Sequence, residues 1–418
     1  MARRVAELSK GTRITDYISL GVLTKNFPPE RVRTILTAQG RHSKRERDLP
    51  AHVVMYYVIA LALYRAYRER CGRLFHFNCD KGLLVAGQVE RRFGGGKVIE
   101  PMRLVIGDRA TPVKEFDIDE IAVEAAKSWF REHLAKVDPD RHVIYQVELK
   151  GGSEELTGIF QETFTVAPAN DTSAAVGYAP LSETEQLVLE AERFLNGPEF
   201  KRRYPESGKD VKIMGVREGS RLDITAAMPL LDRYIDDEAS YFEKKQEMRE
   251  VLSAHLRSRL ARLDAIHVSL NTLDRPNRGL AGIYLSVLGT SAEDADSGEV
   301  GRGNQVNGVI ALNRPRGSEA AAGKNPVSHV GKIYSVLTHL LARQIHAEIP
   351  GVEQAVVWLC SGIGDPIDKP QMASVQVRLE RKVTLADVAE PIRKILVREL
   401  ERMPSFCEEL AQGKYAIC

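Results

Sequence analysis

Between residues 83 and 402, short apolar runs and long amphipathic stretches follow one another in unequal groups, and this pattern narrows the available folds most. Leu83–Val85 and Leu104–Ile106 are apolar and bounded by turn residues, as strands are. Ile118–Lys136 carries Ile121, Ala125, Trp129 and His133 at helical spacing. A strand at Val143–Val147, a helix at Glu183–Leu195 and strands at Val211–Met214 and Leu222–Ala226 come next. Tyr234–Leu263 reads as a long charged helix, and Ile266–Leu270 and Ile283–Val287 as β-like runs. Val327–Ile345 is helical, Ala355–Leu359 and Ala373–Leu379 are strand-like, and Leu385–Arg402 is a closing helix. Strict strand–helix alternation is missing, so the expectation is α+β with mixed or antiparallel sheets.

Upstream, Val53–Tyr64 is the most apolar run. A bilayer takes roughly 20 apolar residues, so this run reads as a buried helix, starting near Asp48-Leu49-Pro50 and stopping at Gly72. The net charge of +2 gives the molecule no general attraction to nucleic acid or membrane, although the first fifty residues are basic. Five widely spaced cysteines without a Cys-x-x-Cys pair argue against a disulfide framework or a zinc site. Polar sequence after Arg3 and Arg4 argues against a signal peptide. The expected setting is the cytoplasm.

Two glycine-rich segments invite a test for nucleotide loops. In Gly317–Asn325, five residues separate Gly317 from Gly323 instead of four, and Asn325 stands where a phosphate loop needs Ser or Thr. In Gly301–Gly308 the last glycine comes two places late for a dinucleotide fingerprint. Both still combine glycine with a cation, Arg302 or Lys324, so each reads as an anion site or a simple turn. Asp80 and Asp171 sit in Asn78-Cys79-Asp80-Lys81 and Asn170-Asp171-Thr172-Ser173, where turn chemistry is the plainer reading. Asp296 is an acid in a loop, Lys212 lies on an expected strand, and Gly94, Gly95 and Gly96 form a flexible loop. His76 and His329 lie near these clusters without a metal or triad pattern.

Longer strings go further. Leu74–Lys81, Phe93–Gly96 and Asp108–Thr111 resemble the archaeal-type S-adenosylmethionine synthetases. So do Pro168–Ser173 with Val176–Leu181, Val211–Gly219, Gly289–Glu293 with Val300–Asn304, and Ala322–Tyr334, all in order from about residue 65 to 418. The resemblance implies three similar sheet-plus-helix units, a homodimer with sites between subunits, and a reaction of methionine with ATP assisted by Mg2+ and K+. It further implies that Lys212, Arg302 and Lys324 face the triphosphate. Asp80, Asp171 and Asp296 would receive the methionine ammonium and the nucleoside, and Gly94–Gly96 would lie near substrate.

Residues 13–64 instead resemble the N-terminal segment of insertion-sequence DDE transposases, through Ile18–Leu23, Arg41–Arg47 and Leu49–Tyr57. The chain therefore divides into a mostly helical segment, 1–64, and a synthetase-like region, 65–418. The synthetases open with Gly-His-Pro-Asp, whose histidine meets the triphosphate and whose aspartate holds magnesium. No His-Pro-Asp occurs in this chain, and Arg47-Asp48-Leu49 stands at the matching place. A second reading thus stays open: an ATP-binding or regulatory homologue, or a fusion, without turnover. A nucleic-acid role for residues 1–47 is not expected.

Overall fold

The computed structural model describes residues 77–111, 117–159, 166–299, 305–415 and 417. The helix expected from Asp48 to Arg70, the division near residue 64, His76 and Arg302 all lie outside the described residues.

In chain order the first elements are β1 (Phe77–Val85), β2 (Gln88–Glu90), β3 (Lys97–Glu100), β4 (Met102–Ala110), α1 (Ile118–His133), β5 (Val143–Lys150) and α2 (Glu154–Gly158). Next come β6 (Ser173–Ala179), α3 (Glu183–Asn196), α4 (Pro198–Arg203), β7 (Lys212–Glu218), β8 (Arg221–Ala227) and β9 (Leu230–Leu231). A 3₁₀ turn at Asp232–Tyr234 leads into α5 (Glu238–Arg257), β10 (Ala265–Leu270), β11 (Leu285–Ser286) and β12 (Gly298–Glu299). The chain closes with α6 (Val330–Glu348), β13 (Val352–Ser361), β14 (Met372–Leu379), α7 (Leu385–Glu401) and α8 (Met403–Ala411).

Three principal sheets result, ordered β12-β1-β4-β5, β10-β8-β7 and β14-β13-β6. The first two repeat one connection. An antiparallel pair, β1/β4 or β7/β8, is followed by a helix, α1 or α5, and a parallel strand, β5 or β10. The third sheet is antiparallel throughout, with α6 across it. This is the expected α+β class with sheet-plus-helix units.

Local chemistry explains the element ends. Asp117 caps α1 by accepting from the amides of Asp119 and Glu120, and Ser182 with Glu185 closes a capping box on α3. The same device corrects one expected boundary. The long charged helix starts at Glu238, because Asp237 and Ser240 form its cap, and it ends at Arg257. Ile283–Val287 shrinks to the two-residue β11, and the loop around Gly94–Gly96 is flanked by the unforeseen strands β2 and β3. Helices α2, α4 and α8 were too short to show a clear period.

Two apolar cores form. One joins the first and third sheets with α1, α6, α7 and α8, through residues such as Leu104, Phe130, Ile333, Leu337 and Phe406. The other lies inside the middle unit, around Leu187, Leu222, Tyr241 and Leu252. No helix among the described residues is long and apolar enough to cross a membrane.

Candidate active site

The site is built where β1 loses its register. Opposite β4 the pairing shifts between Asn78 and Lys81, so Cys79 and Asp80 form a bulge that re-aims the Asp80 side chain. The Cys79 amide donates to the Gly323 carbonyl at 2.8 Å, which brings the 317–325 loop against the bulge. Gly323 has φ +77°, and a Cβ there would stand 2.4 Å from the Cys79 carbonyl oxygen, so only glycine allows this approach.

That contact delivers Lys324 to Asp80. Its Nζ lies 3.0 Å from Asp80 Oδ2 and 2.7 Å from Glu319 Oε1. Asp80 also faces Asp108 across the β1/β4 pair. Lys81 Nζ lies 2.8 Å from Asp108 Oδ2 and 3.4 Å from Asp80 Oδ1, and Asn78 Nδ2 donates to Asp108 Oδ2 at 3.0 Å. Burial works to raise Asp80, but its hydrogen bond with Asp108 and the nearby Lys324 charge hold it well below the usual carboxylate range. Burial, and then the shared bond with Asp80, push Asp108 up to about 6. Asp108 sits at φ +114°, a strained backbone for a residue with a side chain, and such strain gathers at functional sites.

Asp171 reaches the same place from the third unit. Its backbone neighbour Asn170 donates to the Ser328 carbonyl at 3.1 Å, and Asp171 Oδ2 lies 3.6 Å from His329 Nε2. Asp171 Oδ1 also accepts from the Thr172 amide, so the turn chemistry read from sequence is present as well. His329 caps α6, whose positive end therefore points into this cluster. Lys332 on its first turn is 1% exposed, and burial together with Lys324 pushes it down to about 7. Among the described residues four buried polar atoms here have no hydrogen-bond partner: Asn78 Oδ1, Asn170 Oδ1, Asn325 Nδ2 and Ser328 Oγ. Such atoms are costly unless a ligand or water satisfies them.

The remaining sequence candidates belong to a second group. The Gly96 amide donates to Asp232 Oδ2 at 2.7 Å and the Gly94 amide to the Ile235 carbonyl at 2.8 Å, with φ positive at Gly94 and Gly95. The glycine loop is thus pinned to the middle unit rather than loose. Lys212 opens β7 opposite Ala227. Just before it, the Lys209 and Asp210 amides donate to the Gly289 carbonyl, and Asp210 accepts from the Ser291 amide and hydroxyl. The Asp296 amide donates to the Ser291 carbonyl at 3.1 Å. Segment 286–299 therefore clasps two units, because the Gly87 amide donates to the Ala292 carbonyl and β12 pairs with β1.

Sequence reading singled out Asp80, Asp171 and Lys324, and the structure brings these three together. It missed Asp108, Glu319, Asn325, Ser328 and Lys332 as members. Asp108 and Lys332 lay inside strings already noticed, and Glu319 lay inside the rejected phosphate loop, but spacing alone gave none of them a partner.

The α+β scaffold thus gathers acids and buried cations at one helix start, an arrangement suited to charged ligands. The family description S-adenosylmethionine synthetase (AdoMet synthetase) matches residues 51–414, and the description Insertion element 4 transposase N-terminal matches residues 17–71. The chain is 41% identical to a probable S-adenosylmethionine synthase of Aquifex aeolicus, over 86% of this chain and 90% of that one. It is 42% identical to the S-adenosylmethionine synthase of Aeropyrum pernix over the same shares. A solved structure, an unusual S-adenosylmethionine synthetase from Campylobacter jejuni, shares the fold at TM-score 0.53 and 16% identity, covering 82% of this chain and 84% of that one. This chain belongs to the S-adenosylmethionine synthetase family.

Proposed function

We propose that the chain is a catalytically competent methionine adenosyltransferase that joins methionine to ATP. The methionine sulfur attacks the ribose C5′, a C–S bond forms, and the C5′–O bond breaks with its electron pair leaving on the triphosphate. Water then cleaves the triphosphate to pyrophosphate and phosphate. The observation that carries this reading is the adjacency of two half-sites. Buried Lys324 and Lys332 with the start of α6 suit a polyphosphate, and the Asp80–Asp108 acids beside them suit an ammonium. Preorganised charge of this kind is the largest single contribution to displacing such a leaving group.

In this reading Lys324, Lys212 and Arg302 bear on the triphosphate. Asp80, Asp171 and Asp296 receive the methionine ammonium and the nucleoside, and Gly94–Gly96 let backbone approach the substrate. The expected ions are Mg2+ and K+. Among the described residues no group of three or more His, Cys, Asp or Glu side chains is placed to hold a metal. The described residues therefore make no metal cage of their own. Mg2+ ordinarily takes one or two carboxylates and completes its shell with phosphate and water, so it would arrive with the nucleotide.

The molecule is expected to work in the cytoplasm as a homodimer. Met214 and Val216 lie on one face of β7 and are 56% and 54% exposed, an apolar pair suited to a partner surface. Incubating the full chain with methionine, ATP, Mg2+ and K+ should yield S-adenosylmethionine, pyrophosphate and phosphate in equal amounts. Absence of S-adenosylmethionine would overturn the reading. Light scattering on the eluting protein should give twice the chain mass.

A further inference from the structure

We propose that His329 is a catalytic residue that donates a hydrogen bond from Nε2 to the bound polyphosphate. This deepens the synthetase reading and rests on it. The imidazole is buried at the start of α6, and its Nδ1 accepts from the Gly331 amide at 3.2 Å. Nδ1 therefore presents its lone pair, and in the neutral ring the proton sits on Nε2. Among the described residues Nε2 makes no hydrogen bond, since Asp171 Oδ2 stands 3.6 Å away, beyond good hydrogen-bond reach.

The ring stays neutral because burial, and then the charges of Lys324 and Lys332, push its pKa down to about 3, Asp80 opposing them. A ring whose pKa lies that far below neutrality keeps one protonation state across the physiological range. It offers one directed N–H to an oxygen whose negative charge grows as the C5′–O bond breaks. The neighbouring atoms point to the same ligand. Ser328 Oγ and Asn325 Nδ2 are donors, both residues are 0% exposed, and neither atom has a partner among the described residues. Both residues lie within four positions of His329 on the approach to a 19-residue helix, whose positive end suits an anion carrying several oxygens.

The competing role for His329 is purely structural, as the cap of α6. Two substitutions separate the roles because they exchange the two properties. His329→Ser keeps a good cap acceptor and loses the distant donor. His329→Gln is a poorer cap but places an amide N–H near the position of Nε2. The expected result is that His329→Ser lowers kcat about 100-fold with a smaller change in the KM for ATP, while His329→Gln stays within about tenfold of the parent chain. A His329→Gln variant no faster than His329→Ser, or a His329→Ser variant within about threefold of the parent, overturns the proposal. If the parent chain itself makes no S-adenosylmethionine, the synthetase reading fails. The same ranking is then read from calorimetric binding of inorganic tripolyphosphate to the three full-length proteins: tighter binding by His329→Gln than by His329→Ser supports the donor, and equal or reversed binding overturns it.

Discussion

Lys324 illustrates how much a single side chain can owe to distant sequence. Its ammonium is fixed by Asp80 and Glu319, so it is positioned before any ligand arrives. Under the proposed reading, Lys324→Met should reduce kcat at least about 100-fold in the turnover assay, because the charge assigned to the leaving group is lost. Glu293 carries a second residue-scale prediction. It accepts from the Ser286 hydroxyl and the Val287 and Leu288 amides, which favours the carboxylate, yet burial outweighs them and pushes it up to about 7. Between 4.5 and 7 the folded chain then binds a proton that the unfolded chain has released, so its contribution to stability is full below 4.5 and is lost as pH rises through 7. Urea unfolding of the parent and of Glu293→Gln should show their stability difference moving against the parent by up to about 3 kcal/mol over that window. A pH-independent difference would contradict this.

The decisive element is α6. Its apolar period was legible from Val327 onward, and the helix begins at Val330 because His329 takes the cap. The crossing over β6 was not legible. A Cβ on Gly177 would stand 2.2 Å from the His339 amide nitrogen, so helix and strand backbones touch there. Gly177→Ala must push α6 outward. Thermal unfolding should report a loss of about 1–3 kcal/mol or more, the cost of overpacking a filled contact. Activity should fall with it, since the displaced helix carries His329 and Lys332. Unchanged stability would mean that α6 has more room than this geometry allows.

At the scale of the whole molecule, two cores divide the work. The first and third sheets share one, and the middle unit keeps its own. Leu252 is fully buried in the middle core, so Leu252→Ala should cost about 2–5 kcal/mol by denaturant unfolding. Below the new transition kcat should fall only modestly, because Asp80, Asp171 and Lys324 stand on the other core and the middle unit contributes Lys212 and the anchor of the glycine loop. A large loss of kcat in still-folded protein would show that the cores are coupled.

The sequence by itself determined the class of fold and the kinds of residue at the site. Apolar periodicity depends on local spacing, and the glycine, acid and lysine strings survive as contiguous text. It could not determine who meets whom. Asp80 and Lys324 lie far apart in the chain, and their contact depends on a bulge in β1 and on Gly323 accepting a backbone neighbour. Asp108, Glu319 and the unsatisfied Asn325 and Ser328 acquire meaning only beside that contact. Burial and partner charge, which set their chemistry, are properties of three-dimensional packing and leave no mark on one-dimensional spacing.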